Sequence, residues 1–403
     1  MSRVLSDDMA KFLEDALDVH LPDWDVVLHG GNEKGEGFLG DMLFVSLKRR
    51  TAEDEHHLVI KQVLPCDSES ATKLMSMTYR NEIHVYQRIL PALRAFREAH
   101  PEVGPFDVAP RCYGADETGG EEKICFRNAK YDGYEMHPKK DALGAGLMEE
   151  VFRKYGRLHA AGFAFKGSRP EEFDELKAGL RNNWAMFAST PFLSASLKGS
   201  AKTWREALLR HDEPELAERL EKYVEKADKI FIEAVSYTGK YGVFLHGDAW
   251  SNNLMFKYDD KKQLENIFLI DFQMSSVGSP VLDLSYSFYA CADYHSMLDK
   301  LDEFLEVYHK SLSEELLRYG SKAEEVYPFD VMKEEWKKYS VFGLFMGSLM
   351  CSMKHRDTTK ELPDVNKILN DSDAVEKYGN DYNDEYAKTI VLLLRHALQN
   401  DFL

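Results

Sequence analysis

Little in this 403-residue sequence points to a secreted, membrane-bound or polyanion-binding protein. It has five cysteines, at 66, 112, 125, 291 and 351, with no Cys-x-x-Cys spacing and no histidine-rich segment to partner them. That excludes a disulfide framework and a cysteine-built zinc site, and it suits reduced thiols in a cytoplasmic protein. Positive charge is also short: 51 Lys and Arg face 69 Asp and Glu, a net charge of −18. A surface of that sign repels nucleic acid and anionic membrane, so neither is expected as a principal partner. Long apolar runs are missing. The longest, VFGLFMGSLMCSM at 341–353, is interrupted by Gly and Ser and falls short of the ~20 residues of a membrane span. It reads as a buried helix. The opening MSRVLSDDMAKFLEDALD is acidic and amphipathic, unlike a secretory signal. Internal repeats and low-complexity linkers are lacking too.

What is present is an ordinary globular composition, 44% hydrophobic and 30% charged, in a chain long enough for two lobes at about 150 residues per domain. Its chemistry concentrates in 243–273, VFLHGDAWSNNLMFKYDDKKQLENIFLIDFQ. An apolar run, Val243–Leu245, leads into His246-Gly247-Asp248, and Asn253 follows. After an apolar LMF and a polar DDKKQ turn, a second apolar run, Ile267–Ile270, delivers Asp271. This reads as strand, loop, hairpin and strand. A lone Asp-Asn pair there would be turn chemistry. The ordered set of two carboxylates and a carboxamide between apolar strands suits phosphoryl transfer instead. Asp248 is placed to orient and deprotonate a hydroxyl, while Asn253 and Asp271 offer hard oxygen ligands to Mg2+. The spacing matches the kinase catalytic and metal loops, with His-Gly-Asp for His-Arg-Asp and Asp-Phe-Gln for Asp-Phe-Gly.

Upstream, residues 4–17 show helical spacing of Val4, Leu5, Met9, Phe12, Leu13, Ala16 and Leu17. A strand, a glycine-rich turn (Gly30, Gly31, Gly35, Gly37, Gly40) and a second strand follow. Such a turn can lay backbone N–H groups over phosphates, and it also describes any flexible hairpin. The next strand, HLVIKQVLP at 57–65, sets Lys61 inside an apolar run, where a lysine needs a partner. Glu82 lies 21 residues on, in a helix whose Ile83, Tyr86, Ile89 and Leu90 make an apolar face. A strand lysine fixed by a helix glutamate is how kinases hold nucleotide phosphates. A connector near 127–133 divides the chain into a nucleotide-binding lobe, 1–128, and a catalytic and acceptor-binding lobe, 129–403. The second is mostly helical, with helices expected at 142–165, 299–319, 331–354 and 383–399. His159, on an apolar helix face, reads as a hydrogen-bonded core residue, and Asp283 as a brace for nearby loops. No Ala-Pro-Glu or separable activation segment is found.

Together these segments resemble the ecdysteroid-kinase-like family, a branch of the choline kinase and aminoglycoside phosphotransferase-like superfamily. The likeness rests on VIKQVLP (59–65), NEIHVYQRILP (81–91), RLHAAG (157–162), VFLHGDAWSNNLMF (243–256) and IDFQMSSVGSPVLDLSY (270–286). One segment departs, Phe126-Arg127-Asn128-Ala129, where the family reads near Leu-Glu-Asp/Asn-Leu. The resemblance implies an α+β, two-lobed protein-kinase-like fold, with a small β-rich N-terminal lobe and a large, mostly helical C-terminal lobe. It implies a kinase using ATP and Mg2+, with Asp248 as catalytic base, Asn253 and Asp271 as metal ligands, and Lys61 with Glu82 at the phosphates. The acceptor it implies is a small-molecule alcohol, ecdysteroid-like or xenobiotic. Choline or ethanolamine is the alternative acceptor, and a catalytically silent nucleotide-binding pseudokinase the alternative function.

Overall fold

The computed structural model describes residues 5–31, 41–64, 69–355 and 384–403. Most of the glycine-rich turn, and Cys66, lie outside them. Packing groups the chain into two units. The smaller draws on Met1–Pro91, Asp107–Glu135 and Met255–Gln273, the larger on Ala92–Phe106, Met136–Leu254 and Met274–Leu403.

The smaller unit is built on an antiparallel five-stranded sheet, ordered β1-β2-β3-β5-β4. Its strands are β1 (Trp24–Gly31), β2 (Asp41–Arg49), β3 (Glu55–Gln62), β4 (Cys112–Asp116) and β5 (Lys123–Arg127). Because side chains alternate along a strand, each strand presents a different set to each face. One face carries Val45, Leu47, Leu58, Ile60 and Cys125, and packs on Met9, Phe12 and Leu13 of helix α1 (Asp7–Leu17). At Gly114 the sheet comes so close that a Cβ would lie 2.9 Å from that of Ala16. Ion pairs from Lys123 to Asp8 (3.1 Å) and Asp116 (3.2 Å) pin the helix further. The opposite face belongs to Lys61, which the register sets beside Met42 on β2 and Ile124 on β5. Helix α2 (Glu69–His84) runs through a five-residue π-turn, Val85–Ile89, into α3 (Leu90–Glu98). The wider turn sits just before Pro91, whose ring and missing N–H disfavour a regular helix there.

A second sheet orders three strands β6-β8-β9, namely β6 (Tyr134–Met136), β8 (Leu254–Tyr258) and β9 (Leu264–Leu269). In the larger unit a two-stranded ribbon pairs β7 (Val243–Phe244) with β10 (Val277–Gly278). The rest of that unit is mostly helical. Helix α4 (Ala145–Ser168) is followed by α5 (Pro170–Ala178), α6 (Asn183–Ala188), α7 (Pro191–Arg210), α8 (Pro214–Val224) and α9 (Ala227–Val235). Beyond the ribbon come α10 (Val281–Cys291), α11 (Tyr294–Met297), α12 (Leu301–Arg318), α13 (Ala323–Val326), α14 (Phe329–Tyr339), α15 (Val341–His355) and α16 (Asp384–Gln399). Residues 331–354, expected as one helix, are two that part at Ser340. Helix α14 buries one stripe, Met332, Glu335 and Trp336, whereas α15 buries Phe342, Leu344, Phe345, Met346, Met350 and Cys351 around its circumference. Two segments with such different faces to cover do not share one axis.

Helix α15 meets α10 at backbone distance. A Cβ at Gly343 would lie 2.3 Å from the Ser285 carbonyl carbon, and one at Gly347 would lie 2.5 Å from the Tyr289 carbonyl oxygen. The fold is thus α+β, a small antiparallel-sheet unit and a larger, mostly helical one. Among the described residues no helix is long and apolar enough to cross a membrane.

Candidate active site

In the smaller unit the expected lysine and glutamate meet. Lys61 is 4% exposed and Glu82 1%, and the lysine Nζ donates to Glu82 Oε2 at 2.6 Å. The same Nζ donates to Asp271 Oδ1 at 2.7 Å, joining residues 210 apart in sequence. It also lies 5.5 Å from the centre of the Tyr79 ring. Burial alone disfavours the ammonium, but the charges of Asp271 and Glu82 outweigh it and hold the Lys61 pKa above its ordinary value. For Glu82, burial pushes the pKa up, Lys61 pulls it down, and the like charge of Asp271 pushes it up again, leaving it raised. Glu82 further accepts a hydrogen bond from the Phe272 backbone N–H. The Phe272 ring packs edge-on against Tyr86, 5.4 Å away, on the same helical run. Helix α2 therefore holds both the lysine and the turn that carries Asp271.

Asp271 follows β9 with φ of 66°, in the left-handed region. Asp is among the few non-glycine residues that visit it readily, and such positions concentrate where a side chain must be aimed. The connector is held by local contacts. Arg127 pairs with Asp132 through both guanidinium and carboxylate edges, and the Asn128 side chain caps the turn Ala129–Asp132. Tyr131 on that turn stacks on His57 of β3, with ring centres 3.4 Å apart.

In the larger unit the His-Gly-Asp loop hangs from one buried carboxylate. Asp283 is 1% exposed; its Oδ2 accepts the His246 N–H at 2.7 Å and its Oδ1 the Gly247 N–H at 2.8 Å. His159, fully buried, lies with Nε2 3.3 Å from Asp283 Oδ2 and Nδ1 3.1 Å from the Tyr308 hydroxyl. Both residues thus serve the support of the loop rather than its tip. Ser275 Oγ donates to the His246 carbonyl at 3.1 Å. Gly247 has φ of 85°, and a Cβ there would sit 2.0 Å from the Met274 carbonyl oxygen. No side chain fits, the arginine of a His-Arg-Asp loop included. The tip of the loop is Asp248, half-buried. Asn253 Nδ2 donates to the Asp248 backbone carbonyl (2.9 Å) and to its Oδ2 (2.8 Å).

Sequence reasoning missed Trp184 on α6, whose indole N–H donates to the Gly247 carbonyl at 2.6 Å. Nothing in the sequence around it signals that contact, because the two residues are 63 positions apart.

Among the described residues no group of three or more His, Cys, Asp and Glu could hold a metal. Taken unit by unit, each offers an oxygen of the kind Mg2+ takes, since that ion is commonly bound by one or two protein oxygens, water and substrate phosphates. The Asn253 amide donates its N–H groups to Asp248, so its Oδ1 is the atom left to meet a cation. Asp271 brings the full charge, with its side chain 29% exposed.

Known proteins add context. Two solved structures align along nearly the whole chain at low identity. A choline kinase from Cryptosporidium parvum Iowa II shares 14% identity with a TM-score of 0.42, covering 95% of this chain and 90% of its own. A glucosamine kinase shares 12% identity with a TM-score of 0.36, covering 93% and 94%. No curated protein matches the chain. The model of the ecdysteroid kinase-like family matches residues 34–321, well over half of the sequence. That span holds Lys61, Glu82, Asp248, Asn253 and Asp271, and the chain belongs to the ecdysteroid kinase-like family.

Proposed function

We propose that the protein transfers the γ-phosphoryl group of ATP, with Mg2+, to a hydroxyl of a small molecule. The observation that carries this reading is Lys61, buried and shared between Glu82 and Asp271. A buried cation held by two carboxylates is costly unless its charge is used, and phosphate neutralisation uses it. Lys61 would draw the nucleotide phosphates, with Glu82 fixing its position. Asp271 and the Asn253 Oδ1 would hold Mg2+, which when bound neutralises charge developing on the phosphates. Asp248 would orient the acceptor hydroxyl and take its proton as the oxygen attacks in line. The fixed backbone of the His-Gly-Asp loop keeps that carboxylate in one place while this happens.

For the acceptor we infer a small apolar or amphipathic alcohol, ecdysteroid-like or xenobiotic, and neither a peptide nor a nucleic acid. Family membership and the net charge of −18 support it. The test is a phosphotransfer screen over sterols, ecdysteroid-like polyols, plant phenolic alcohols, choline, ethanolamine and generic peptides. Apolar burial, at about 25 cal/mol per Å2, depends little on salt, so turnover of a steroid-like alcohol should hold as ionic strength rises. Turnover of choline alone moves the substrate class to quaternary amines. Efficient phosphorylation of peptides with no small alcohol accepted overturns the reading.

A further inference from the structure

The carbonyls of residues 246–249 each accept a hydrogen bond from a side chain. Ser275, Asn253 and Ser287 come from the turns beside the loop and from α10. Trp184 comes from the helical segment between α4 and β7, and its indole N–H meets the Gly247 carbonyl at 2.6 Å. Asp248 is the next residue, its Cα about 3.8 Å from that of Gly247. The ring and the proposed base thus hang from adjacent residues of one fixed loop. Around Trp184 the chain changes character: residues 182–197 carry no charged side chain, in a sequence that is 30% charged. Trp184, Ala185, Met186 and Phe187 of α6, with Leu193 and Ala195 at the start of α7, are all only half-buried. Trp184 and Phe187, three residues apart, share one face of α6. The segment is nonetheless fixed. The Asn182 side chain accepts the Ala185 N–H at 3.0 Å and donates to the Val235 carbonyl, at the end of α9, at 2.7 Å. The indole also meets Phe231 of α9 and Phe342 of α15 at steep angles, with ring centres 6.0 and 5.7 Å away.

We propose that this segment is the wall that holds the apolar body of a neutral acceptor, with Trp184 and Phe187 as its specificity-determining side chains. The proposal rests on the phosphotransfer reading above and narrows its acceptor to a ring-bearing alcohol rather than a quaternary amine. An alcohol with its hydroxyl at Asp248 has the indole as a neighbour, because the two groups leave the loop one residue apart. Binding sites for small molecules join a mostly apolar lining to a few placed polar groups, and here the lining adjoins the loop that carries the carboxylate. A cation would find no counter-charge on the segment itself. Asp228, the carboxylate that faces it, already accepts from Ser194 Oγ at 2.6 Å and pairs with Lys198 at 3.2 Å.

The test is calorimetric binding to the full chain without nucleotide, with 20-hydroxyecdysone as the neutral polycyclic probe and choline as the cation. Phe187→Ala is the deciding variant, since it leaves the Trp184 bond to the loop in place. Removing roughly 30–60 Å2 of apolar cover should weaken binding of the polycyclic probe about 3–10-fold. Removing roughly 60–90 Å2 in Trp184→Ala should weaken it about 10–50-fold. ATP affinity, measured separately, should stay within about twofold in both variants. A merely structural role would lower Tm and weaken ATP and the probe together, and that pattern in Phe187→Ala overturns the proposal. Probe affinity within about twofold of the parent in either variant overturns it, as does a parent that does not bind the probe. Choline held more tightly than the polycyclic probe, with that affinity lost in Trp184→Ala, marks a cation cage and overturns it too. The two levels separate. Phosphorylation of an alcohol whose KM ignores both substitutions removes only this inference. Binding at the wall in a protein that transfers phosphate from ATP to no alcohol removes the phosphotransfer reading.

Discussion

In the smaller unit the site residues hold one another: Lys61 binds Glu82 and Asp271 through side chains alone. In the larger unit Asn253 holds Asp248, but the loop itself is held by others. The backbone of the Asp248 loop is taken up by Asp283, Ser275 and Trp184, none of which carries the chemistry. A mutual charge cluster is reapportioned whenever a new charge arrives, so it can change partners as a phosphate or cation binds. A loop fixed by its amides and carbonyls does not reapportion. The comparison teaches that, under the proposed function, the residues proposed for phosphate and metal sit in a cluster able to change partners, whereas the residue proposed as base sits on a loop held by its backbone.

Five substitutions sharpen or break that contrast. The largest effect should come from Asp248→Asn, which removes the base and leaves the supporting backbone contacts in place. Turnover should drop on the order of 10²–10⁴, with nucleotide affinity and Tm nearly intact. Turnover within tenfold of the parent would take Asp248 out of that role. Lys61→Met should behave oppositely and damage the fold as well as the rate. Breaking a buried pair by removing one partner costs roughly 3–5 kcal/mol, readable by denaturant titration. If stability survives intact, the smaller unit does not depend on its charges as described. Gly247→Ala tests the stillness of the loop. Left-handed strain of ~1–2 kcal/mol adds to a ~1–3 kcal/mol displacement of the Met274 carbonyl, so Tm should fall clearly. An unchanged Tm would show that the loop can move aside. The smallest effects should be in metal dependence. Asp271→Ala should raise the Mg2+ needed for half-maximal activity roughly tenfold, and Asn253→Ala less, because only the aspartate brings a full charge. Equal Mg2+ curves for Asp271→Ala and the parent would contradict its assignment as a ligand.

How much of this could be read beforehand depended on the range of each contact. Asp248, Asn253 and Asp271 were legible because they punctuate two short apolar strands. Lys61 stood out because a lysine in an apolar strand demands a partner, and Glu82 was the acid on the next helical face. His159 was legible as a hydrogen-bonded core residue and Asp283 as a brace, though not that one would meet the other. The sequence did not disclose why position 247 is glycine, since the obstruction is the carbonyl of Met274, 27 residues away. Nor did it disclose the left-handed backbone of Asp271, which depends on its immediate packing. Trp184 offered no handle, because its partner is a backbone atom and leaves no trace in side-chain pattern.

The two elements that back the site-bearing parts of each unit both lie outside residues 34–321. Helix α1 (Asp7–Leu17) lines the rear of the sheet that carries Lys61. Helix α15 (Val341–His355), through Gly343 and Gly347, backs α10, which carries Asp283. A polypeptide trimmed to the family span would keep Lys61, Glu82, Asp248, Asn253 and Asp271 and lose both linings. It would expose Leu47, Leu58 and Ile60 on one side and uncover Ser285 and Tyr289 on the other. The smallest stable piece of this chain therefore reaches beyond the family span at both ends.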